Sequence, residues 1–274
     1  MAGILYLVAT PIGNLDDITL RAIKVLKEVD FIAAEDTRHS LKLLNHLNIS
    51  KPLISYHRHN EDIKSDLLID KLLDDNNIAL ITDAGTPVIS DPGEEIVKIA
   101  IEKNIKVVPI PGACALITAL IASGLDSKEF TFIGFLPLNK KNRKEKLEEI
   151  EKAINTTILY EAPHKLLSTL QDLSKILDSR KVVLAKELTK IHETFISGTA
   201  SELLEKLDNP KGEFVILIEK NTKIENNDTV FLNNLTLEEH YNFYEAQGLK
   251  KNEIIKKIAK DKNVSKNEIY QKFI

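Results

Sequence analysis

Cysteine and long apolar runs are almost absent from this sequence of 274 residues. The single cysteine, Cys114, has no partner for an intrachain disulfide, and a four-cysteine zinc site is excluded. The first residues lack a basic segment followed by an apolar stretch, and no apolar run approaches the roughly 20 residues of a membrane helix. We therefore expect no signal peptide, no membrane segment and a location in the reducing cytoplasm.

Glycine and aromatic residues are also scarce. The ten glycines are never closer than eight residues apart, so the sequence contains neither the G-x-G fingerprint of dinucleotide-binding folds nor a P-loop. A nucleotide-dependent oxidoreductase is therefore a poor interpretation. Aromatic residues make up 5% of the chain, and no stacking platform for single-stranded nucleic acid is evident from so few.

Charge is distributed unevenly along the chain. The formal net charge is −4, but residues 250–274 contain eight lysines against three acidic residues, which gives +5 there and −9 on the remainder. A basic tail on an acidic body suits contact with a polyanion such as nucleic acid. A solvated lysine-rich helix is the alternative, and the sequence leaves both open.

Short apolar runs alternate with amphipathic stretches in the first half of the chain. This strand–helix alternation occurs five times and predicts a parallel sheet covered by helices on both faces. We expect the first helix to begin near residue 17, with Asp16 or Asp17 as its cap. The predicted strand and helix pairs are 4–9 with 17–28, 31–34 with a helix from residue 37, 53–56 with 61–73, 78–82 with 94–103, and 107–110 with 113–123.

A second, less regular series of strands follows. The connection between the strands at 182–185 and 194–197 is too short for a crossover helix, so these two should form an antiparallel pair within a mixed sheet. The polar segment 221–234 is predicted to be a linker. The remaining predicted strands are 131–135, 157–160 and 214–218, and the predicted terminal helices are 237–247, 251–260 and 266–273.

Three loops that leave predicted strands are rich in proline and glycine. They span residues 9–15, 82–93 and 109–115. Proline fixes the backbone and glycine permits unusual conformations, so such loops hold backbone amide and carbonyl groups in defined positions. Ligands of parallel sheets bind beyond the carboxyl ends of the strands. Three such loops together favour a cleft for a polar small molecule over three merely tight turns.

Seven motifs give these loops and the second half of the chain a recognisable pattern. Together they resemble the ribosomal RNA small-subunit methyltransferases of the tetrapyrrole-methylase family. The resemblance runs from about residue 4 to residue 219, and segments 35–38 and 186–190 narrow it to the RNA-methylating branch. The motifs lie at residues 7–22, 34–38, 83–93, 111–113, 134–137, 160–164, and 186–190 with 193–194.

The resemblance implies two α/β domains with S-adenosylmethionine in the cleft between them, usually in a homodimer. We place these domains at residues 1–115 and 116–222, followed by a small helical C-terminal region at 235–274. Matched residue by residue, the resemblance places the following residues around the methyl donor: Ile12, Asp83, Ala84, Gly85, Val88, Cys114, Ala115, Glu161, Ala162, Gly198 and Thr199.

The implied reaction is methyl transfer to the ribose 2′-oxygen of a cytidine in the decoding region of 16S ribosomal RNA, free or within the small subunit. Lys186, Glu187 and Lys190, with Glu193 nearby, are the catalytic candidates. A lysine of lowered pKa or a carboxylate among them would accept the ribose proton. For any single one of them, a place in a salt-bridged surface hairpin is the alternative.

Basic residues beside the predicted cleft and in the tail are candidates for contacts with RNA phosphates. Arg38 suits bidentate binding of a phosphate with Asp36 orienting it. A helix cap at Asp36 with a solvated Arg38 fits the sequence equally well. The full set of candidates is Arg38, Arg58, Lys140, Lys141, Arg143, Lys256 and Lys257.

Two other interpretations stay open, and a metal enzyme is not favoured. His57 and His59 with Glu61 lack a third well-spaced ligand, so we predict no metal site. A methyltransferase of the same fold that acts on a tetrapyrrole or another small molecule is the nearest alternative. A non-catalytic, RNA-binding factor of ribosome assembly is the second.

Overall fold

Two five-stranded sheets and a helical C-terminal region make up the computed structural model, which describes residues 2–222, 232, 235–262 and 264–272. The elements follow the chain in the order that the strand–helix pattern predicts, with the first sheet complete before the second begins. Within this described part of the chain, no helix combines the length and apolar character needed to cross a bilayer.

The first sheet is entirely parallel, as its alternation with helices predicts. Its strand order is β3-β2-β4-β1-β5, and β4 and β5 pair with β1 on either side, where Leu5 is opposite Ile78 and Val107. All five strands therefore end at the same edge, and the loops that follow them meet there. The strands are β1 Ile4–Val8, β2 Phe31–Ala34, β3 Leu53–Ser55, β4 Ile78–Ile81 and β5 Lys106–Ile110.

Helices cover both faces of this sheet and bury the alternating side chains of its strands. On β4, Ala79 and Ile81 face a core shared with α1 and α2, whereas Ile78 and Leu80 face a core shared with α3 and α4. The prediction of two helical layers is confirmed. The helices are α1 Leu20–Glu28, α2 Thr37–His46, α3 Glu61–Leu73 and α4 Glu94–Glu102.

The start of the first helix differs from the expectation. A short 3₁₀ turn, Leu15–Asp17, comes first and is capped by Asn14. Ile18 is extended, and the hydroxyl of Thr19 then accepts a hydrogen bond from the Ala22 amide at the start of α1. The prediction that Asp16 or Asp17 caps this helix was therefore wrong, because Asn14 and Thr19 are the caps and the aspartates belong to the turn before the helix.

The second sheet is mixed. Its order is β6-β7-β10-β8-β9, in which only β6 and β7 are parallel. The predicted antiparallel pairing of β8 with β9 is confirmed, with Lys186 opposite Thr194 and Val182 opposite Gly198. The strands are β6 Phe130–Phe135, β7 Thr156–Glu161, β8 Val182–Lys186, β9 Thr194–Gly198 and β10 Phe214–Ile218.

Helices again cover the two faces of this sheet. The helix α5, Ala115–Ala122, follows the last strand of the first sheet but packs Leu116, Ala119 and Leu120 against the second. On the other face lie α6 Lys140–Glu151, α7 Pro163–Ser174 and α8 Ala200–Lys206. The domain boundary at residues 115 and 116 stays a prediction, and this packing supports it.

In the C-terminal region, the described residues include three helices that share a core of their own. Tyr244, Ile255, Ile258 and Ile269 are among the side chains buried within it. The helices are α9 Leu237–Glu245, α10 Lys251–Asp261 and α11 Lys266–Gln271. Most of the linker predicted at 221–234 lies outside the described residues, as does residue 273, where the last helix was predicted to end.

Candidate active site

A cavity of about 590 Å³ lies where the carboxyl edge of the parallel sheet meets the second sheet. The three proline- and glycine-rich loops, with the residue after β2, supply one wall, and the ends of β6, β7 and β8 with the start of β10 supply the other. This volume is within the usual range for small-molecule sites. The first wall contains Ile12, Glu35, Asp83–Thr86, Ile89–Asp91, Cys114 and Ala115, and the second contains Phe135, Tyr160–His164, Ala185, Leu188 and Glu213–Val215.

Hydrogen bonds between loops fix the first wall. Thr10 and Gly85 exchange two backbone hydrogen bonds, of 2.9 and 3.1 Å, and so join the loop after β1 to the loop after β4. The Thr86 hydroxyl donates to the carbonyl of Ala113 at 3.0 Å, which joins the loop after β4 to the loop after β5. The sequence folds this way because small and hydroxyl-bearing residues let the three backbones approach one another.

Gly85 marks a close approach of backbone to the cavity. Its φ is +88°, and a Cβ atom there would lie 3.1 Å from the Cγ2 of Ile12. Only glycine adopts this conformation without strain and leaves that space open. A ligand can therefore lie directly against the peptide groups of this loop.

An aromatic group anchors the second wall. The Tyr160 hydroxyl accepts a hydrogen bond of 3.2 Å from the Leu116 amide at the start of α5, and its ring lies 4.9 and 5.8 Å from the rings of Phe132 and Phe135. Burial, together with the nearby Cys114, raises the pKa of Tyr160 to about 12. Tyr160 therefore stays a neutral phenol at physiological pH.

The cavity is acidic. Five carboxylates line it, and none of the described residues that line it is a lysine or arginine. Burial, and then the charge of Glu35, raises the pKa of Asp91 to about 6, so the cavity gains negative charge as the pH rises toward neutral. This composition favours a cationic ligand and disfavours a phosphate. The carboxylates belong to Glu35, Asp83, Asp91, Glu161 and Glu213.

An ion cluster lies beside the cavity, between the loop that joins β8 to β9 and the residue that precedes β10. The Lys190 ammonium is 3.0 Å from a carboxylate oxygen of Glu187 and 3.0 Å from one of Glu213. The same loop reaches the first wall, since the Asn14 amide donates to the hydroxyl of Thr189 at 3.0 Å. The cluster therefore lies at the junction of the two walls.

The pKa values in this cluster favour fixed charges. Partial burial lowers the pKa of Lys190, but its hydrogen bonds to Glu213 and Glu187 outweigh burial and the net change is upward. The amide of Glu213 donates to Glu187 and holds the pKa of that carboxyl below its usual range. The expectation of a proton-accepting lysine with a lowered pKa is therefore wrong for Lys190, because two carboxylates stabilise its charged form.

Comparison with known proteins fits this arrangement of sheets and cavity. A family model of tetrapyrrole (corrin/porphyrin) methylases matches residues 4–204. The chain belongs to the tetrapyrrole methylase family. A protein of Halalkalibacterium halodurans named ribosomal RNA small subunit methyltransferase I is 49% identical over 98% of this chain and 93% of its own. One of Bacillus subtilis with the same name is 47% identical over 99% and 94%.

Solved structures of other proteins share the fold. A uroporphyrin-III C-methyltransferase from Thermus thermophilus, complexed with S-adenyl homocysteine, superposes with a TM-score of 0.57 at 18% identity, covering 78% of this chain and 97% of that chain. A diphthine synthase superposes with a TM-score of 0.64 at 15% identity, covering 79% and 90%. At these identities the likeness concerns the fold alone. The expectation of a two-sheet methylase fold is confirmed.

Eight of the eleven residues assigned to the donor by resemblance line the cavity. Val88 does not line the cavity. It lies in the loop after β4 with a φ of 76° and packs beside Gly93. Gly198 and Thr199 lie elsewhere. The eight are Ile12, Asp83, Ala84, Gly85, Cys114, Ala115, Glu161 and Ala162.

The register of the second sheet explains where Gly198 and Thr199 lie. Gly198 is opposite Val182, at the end of β8 away from the cavity, whereas Lys186 is at the near end. Four residues of strand separate these ends by about 13 Å. Thr199 caps α8 through its hydroxyl. Within this chain the structure does not bring either residue to the cavity.

Several lining residues lay outside the predicted donor site. Tyr160 is next to Glu161, which was predicted to contact the donor, and Asp91 lies in the proline- and glycine-rich loop 82–93. The motifs therefore indicated the neighbourhood of both residues. Glu213 and Phe214 carry no such signal. They reach the cavity because β10 runs antiparallel to β7 and β8, which places Phe214 opposite both Glu161 and Lys186.

The residues predicted to bind RNA fall into two groups. Arg38 pairs with Asp36, which also caps α2, and its side chain remains 88% exposed. Lys140 and Lys141 at the start of α6, and Lys256 and Lys257 on α10, are exposed as well.

The two remaining arginines have partners within the protein. Arg58 donates to the carbonyl of Ser90, in the loop that contains Asp91. Arg143 lies between α6 and α7 and donates to Asp172 and Thr169. These partners do not favour a contact with RNA for either arginine.

Across the described residues, no group of three or more histidine, cysteine or acidic side chains is placed to hold a metal ion.

Proposed function

We propose that this methylase transfers the methyl group of S-adenosylmethionine to the ribose 2′-oxygen of a cytidine in the decoding region of 16S ribosomal RNA. The observation that carries the donor assignment is the acidic cavity between the two sheets, which eight of the expected donor residues line. The shared name of the relatives that match nearly the whole chain supports the RNA acceptor.

The cavity suits the donor chemically. S-adenosylmethionine carries a sulfonium and an ammonium against one carboxylate, so five carboxylates and no lysine or arginine among the described lining residues complement its net positive charge. Backbone groups beside Gly85 and the apolar side chains of Ile12 and Leu188 offer contacts for an uncharged, planar base. The carboxylates of the cavity would repel a phosphate-rich dinucleotide.

The cluster at the junction of the walls supplies the remaining chemistry. The bound donor supplies a methyl group that is already activated as a sulfonium. The protein must therefore align the acceptor oxygen and help to remove the proton of its hydroxyl. We assign Lys190 the stabilisation of negative charge that develops on the 2′-oxygen, because its ammonium is paired with Glu213, which lines the cavity, and with Glu187 beside it. Lys186, at the end of β8, and Glu187 remain the candidates to accept the proton that the 2′-hydroxyl loses.

We assign exposed basic residues outside the cavity to contacts with the RNA. The acidic cavity repels phosphates, so only a nucleoside edge enters it, while the backbone lies along Arg38, Lys140 and Lys141 and across the lysines of α10. The substrate is 16S RNA or the small subunit.

We further infer a cytoplasmic homodimer from the family resemblance, and the mass of the purified protein by light scattering tests the dimer.

Transfer of radiolabelled methyl from S-adenosylmethionine tests the proposal directly. The acceptors are small ribosomal subunits that lack the modification, protein-free 16S RNA and a panel of tetrapyrroles, each followed by isolation of the labelled product. We expect label in a 2′-O-methylated cytidine from subunits or RNA. Label only in a tetrapyrrole would move the protein to the small-molecule branch, and RNA binding without label would make it a non-catalytic factor.

A further inference from the structure

A chain of hydrogen bonds connects the surface helix α6 to the cavity. Arg143 on α6 donates to the hydroxyl of Thr169 on α7 at 3.0 Å. That hydroxyl in turn is 2.6 Å from a carboxylate oxygen of Glu161 at the end of β7. The second oxygen of Glu161 accepts the Ala162 amide at 2.9 Å. Three elements of the second half thus meet on one carboxylate.

The direction of this chain is fixed by the chemistry of its members. A guanidinium only donates hydrogen bonds and does not lose its proton in proteins. The Thr169 hydroxyl has one proton, so while it accepts from Arg143 it gives that proton to Glu161. Glu161 is 5% exposed and receives a donor on each oxygen, which fixes the plane of its carboxylate at the cavity wall.

We propose that Arg143 is a positioning residue for the methyl donor, acting through Thr169 to hold the Glu161 carboxylate in the orientation that receives the donor. This inference rests on the proposed function, in which the donor occupies the cavity. It replaces the expectation that Arg143 contacts RNA, since its guanidinium is turned inward and largely covered.

The same arginine provides an internal control. Its Nε donates to Asp172 at 2.9 Å, and this hydrogen bond is separate from the one that its Nη2 donates to Thr169. Loss of the Asp172 charge removes a salt bridge between α6 and α7 but leaves Thr169 and Glu161 intact. An effect of the network on stability alone would therefore be shared by Asp172 and Thr169, whereas an effect on the donor is confined to Thr169 and Arg143.

The test measures S-adenosylmethionine affinity by calorimetry for the full chain and for Thr169→Val, Thr169→Ser and Asp172→Asn. Thr169→Val keeps the shape and removes the hydroxyl, and we expect about tenfold weaker donor binding, typical of a lost hydrogen bond to a charged group. Thr169→Ser restores the hydroxyl and should bind within about twofold of wild type, as should Asp172→Asn. The KM for the RNA acceptor should not change in any of them.

Each outcome bears on the inference. Equal donor affinity in Thr169→Val and wild type, with unfolding midpoints lowered alike in Thr169→Val and Asp172→Asn, would show a purely structural network and overturn it. Should Thr169→Val fail to fold, Arg143→Lys, which cannot reach both partners, replaces it, and wild-type affinity there overturns the inference. A wild-type protein that does not bind S-adenosylmethionine would instead overturn the proposed function, and this inference with it.

Discussion

The two sheets build the cavity in different ways. The parallel sheet contributes loops, joined by backbone hydrogen bonds such as those between Thr10 and Gly85. The mixed sheet contributes side chains held by other side chains, as Glu161 is held by Thr169. The backbone of the loop wall sets the shape of the cavity and lets a ligand lie against its peptide groups. The side-chain wall instead presents carboxylates that other side chains hold in a fixed orientation.

This difference predicts different sensitivities to substitution. At the loop wall, donor affinity should fall when a larger side chain is introduced, because the peptide groups themselves line the cavity. The side-chain wall should fail when a hydrogen-bonding atom is removed, because its carboxylates depend on their donors. Variants chosen in matched pairs separate these two modes of failure.

The largest effect is expected for Gly85→Val. Its side chain meets Ile12 at the cavity and requires a φ of +88° that L-residues avoid, so donor affinity should fall by at least about 100-fold. Gly124→Val has the same kind of strain, at a φ of +70°, but nothing lies within 4 Å of its Cβ position. Calorimetric titration of both checks this, and an equal loss in the two variants would contradict the idea of a backbone wall.

A second prediction concerns the charge that Asp91 adds to the loop wall. Burial and Glu35 raise its pKa to about 6, so it is ionised at pH 8 and protonated at pH 5. Affinity for the cationic donor should therefore fall by about fivefold to tenfold between pH 8 and pH 5. Asp91→Asn should lack this dependence and bind as the wild type does at pH 5.

The same carboxyl makes stability depend on pH in a defined direction. Because its pKa is raised in the folded state, the folded protein binds this proton more tightly than the unfolded chain. Wild-type stability should fall as the pH rises from about 4 to about 6, by about 1 to 2 kcal/mol after allowance for solvent screening. Urea unfolding should show no such fall for Asp91→Asn, and identical pH profiles would contradict the assignment.

A fourth prediction extends the comparison to the helical C-terminal region. Lys256 and Lys257 are exposed on α10, and replacement of both by alanine should weaken RNA binding about fivefold and lower the salt slope by up to about 2. Donor affinity should not change. Lys24 and Lys27 on α1 serve as the control pair, and filter binding over a salt series measures both. Equal slopes for all three proteins would remove α10 from the RNA site.

The smallest effect is expected for Tyr160→Phe, which removes the hydroxyl that accepts the Leu116 amide. The ring and its aromatic contacts stay, so donor affinity should fall by only about threefold. Tyr56→Phe is the control, because the Tyr56 hydroxyl contacts Ser65 and neither residue lines the cavity. That variant should lose about 1 kcal/mol of stability in urea unfolding and retain donor affinity.

The loop wall could be predicted from the sequence, whereas the side-chain wall could be predicted only in part. Ile12, Gly85 and Cys114 follow parallel strands, and loops at the carboxyl ends of such strands meet without further information. Glu213 is at the start of a strand, and only the antiparallel register brings it beside Glu161. Gly198, expected at the cavity, is at the far end of β9 for the same reason.

The sequence by itself determined the order of the strands, the helices of the first sheet and of the C-terminal region, the parallel first sheet, the antiparallel pair in the second and the three loops of the cleft. These follow from apolar periodicity, connection length and the positions of proline and glycine, which act over short stretches of chain. The tertiary structure alone decided that Arg143 faces inward to Thr169 and that two carboxylates keep Lys190 charged. Such contacts join residues that are distant in the chain, and their geometry is fixed only when the sheets and helices have packed.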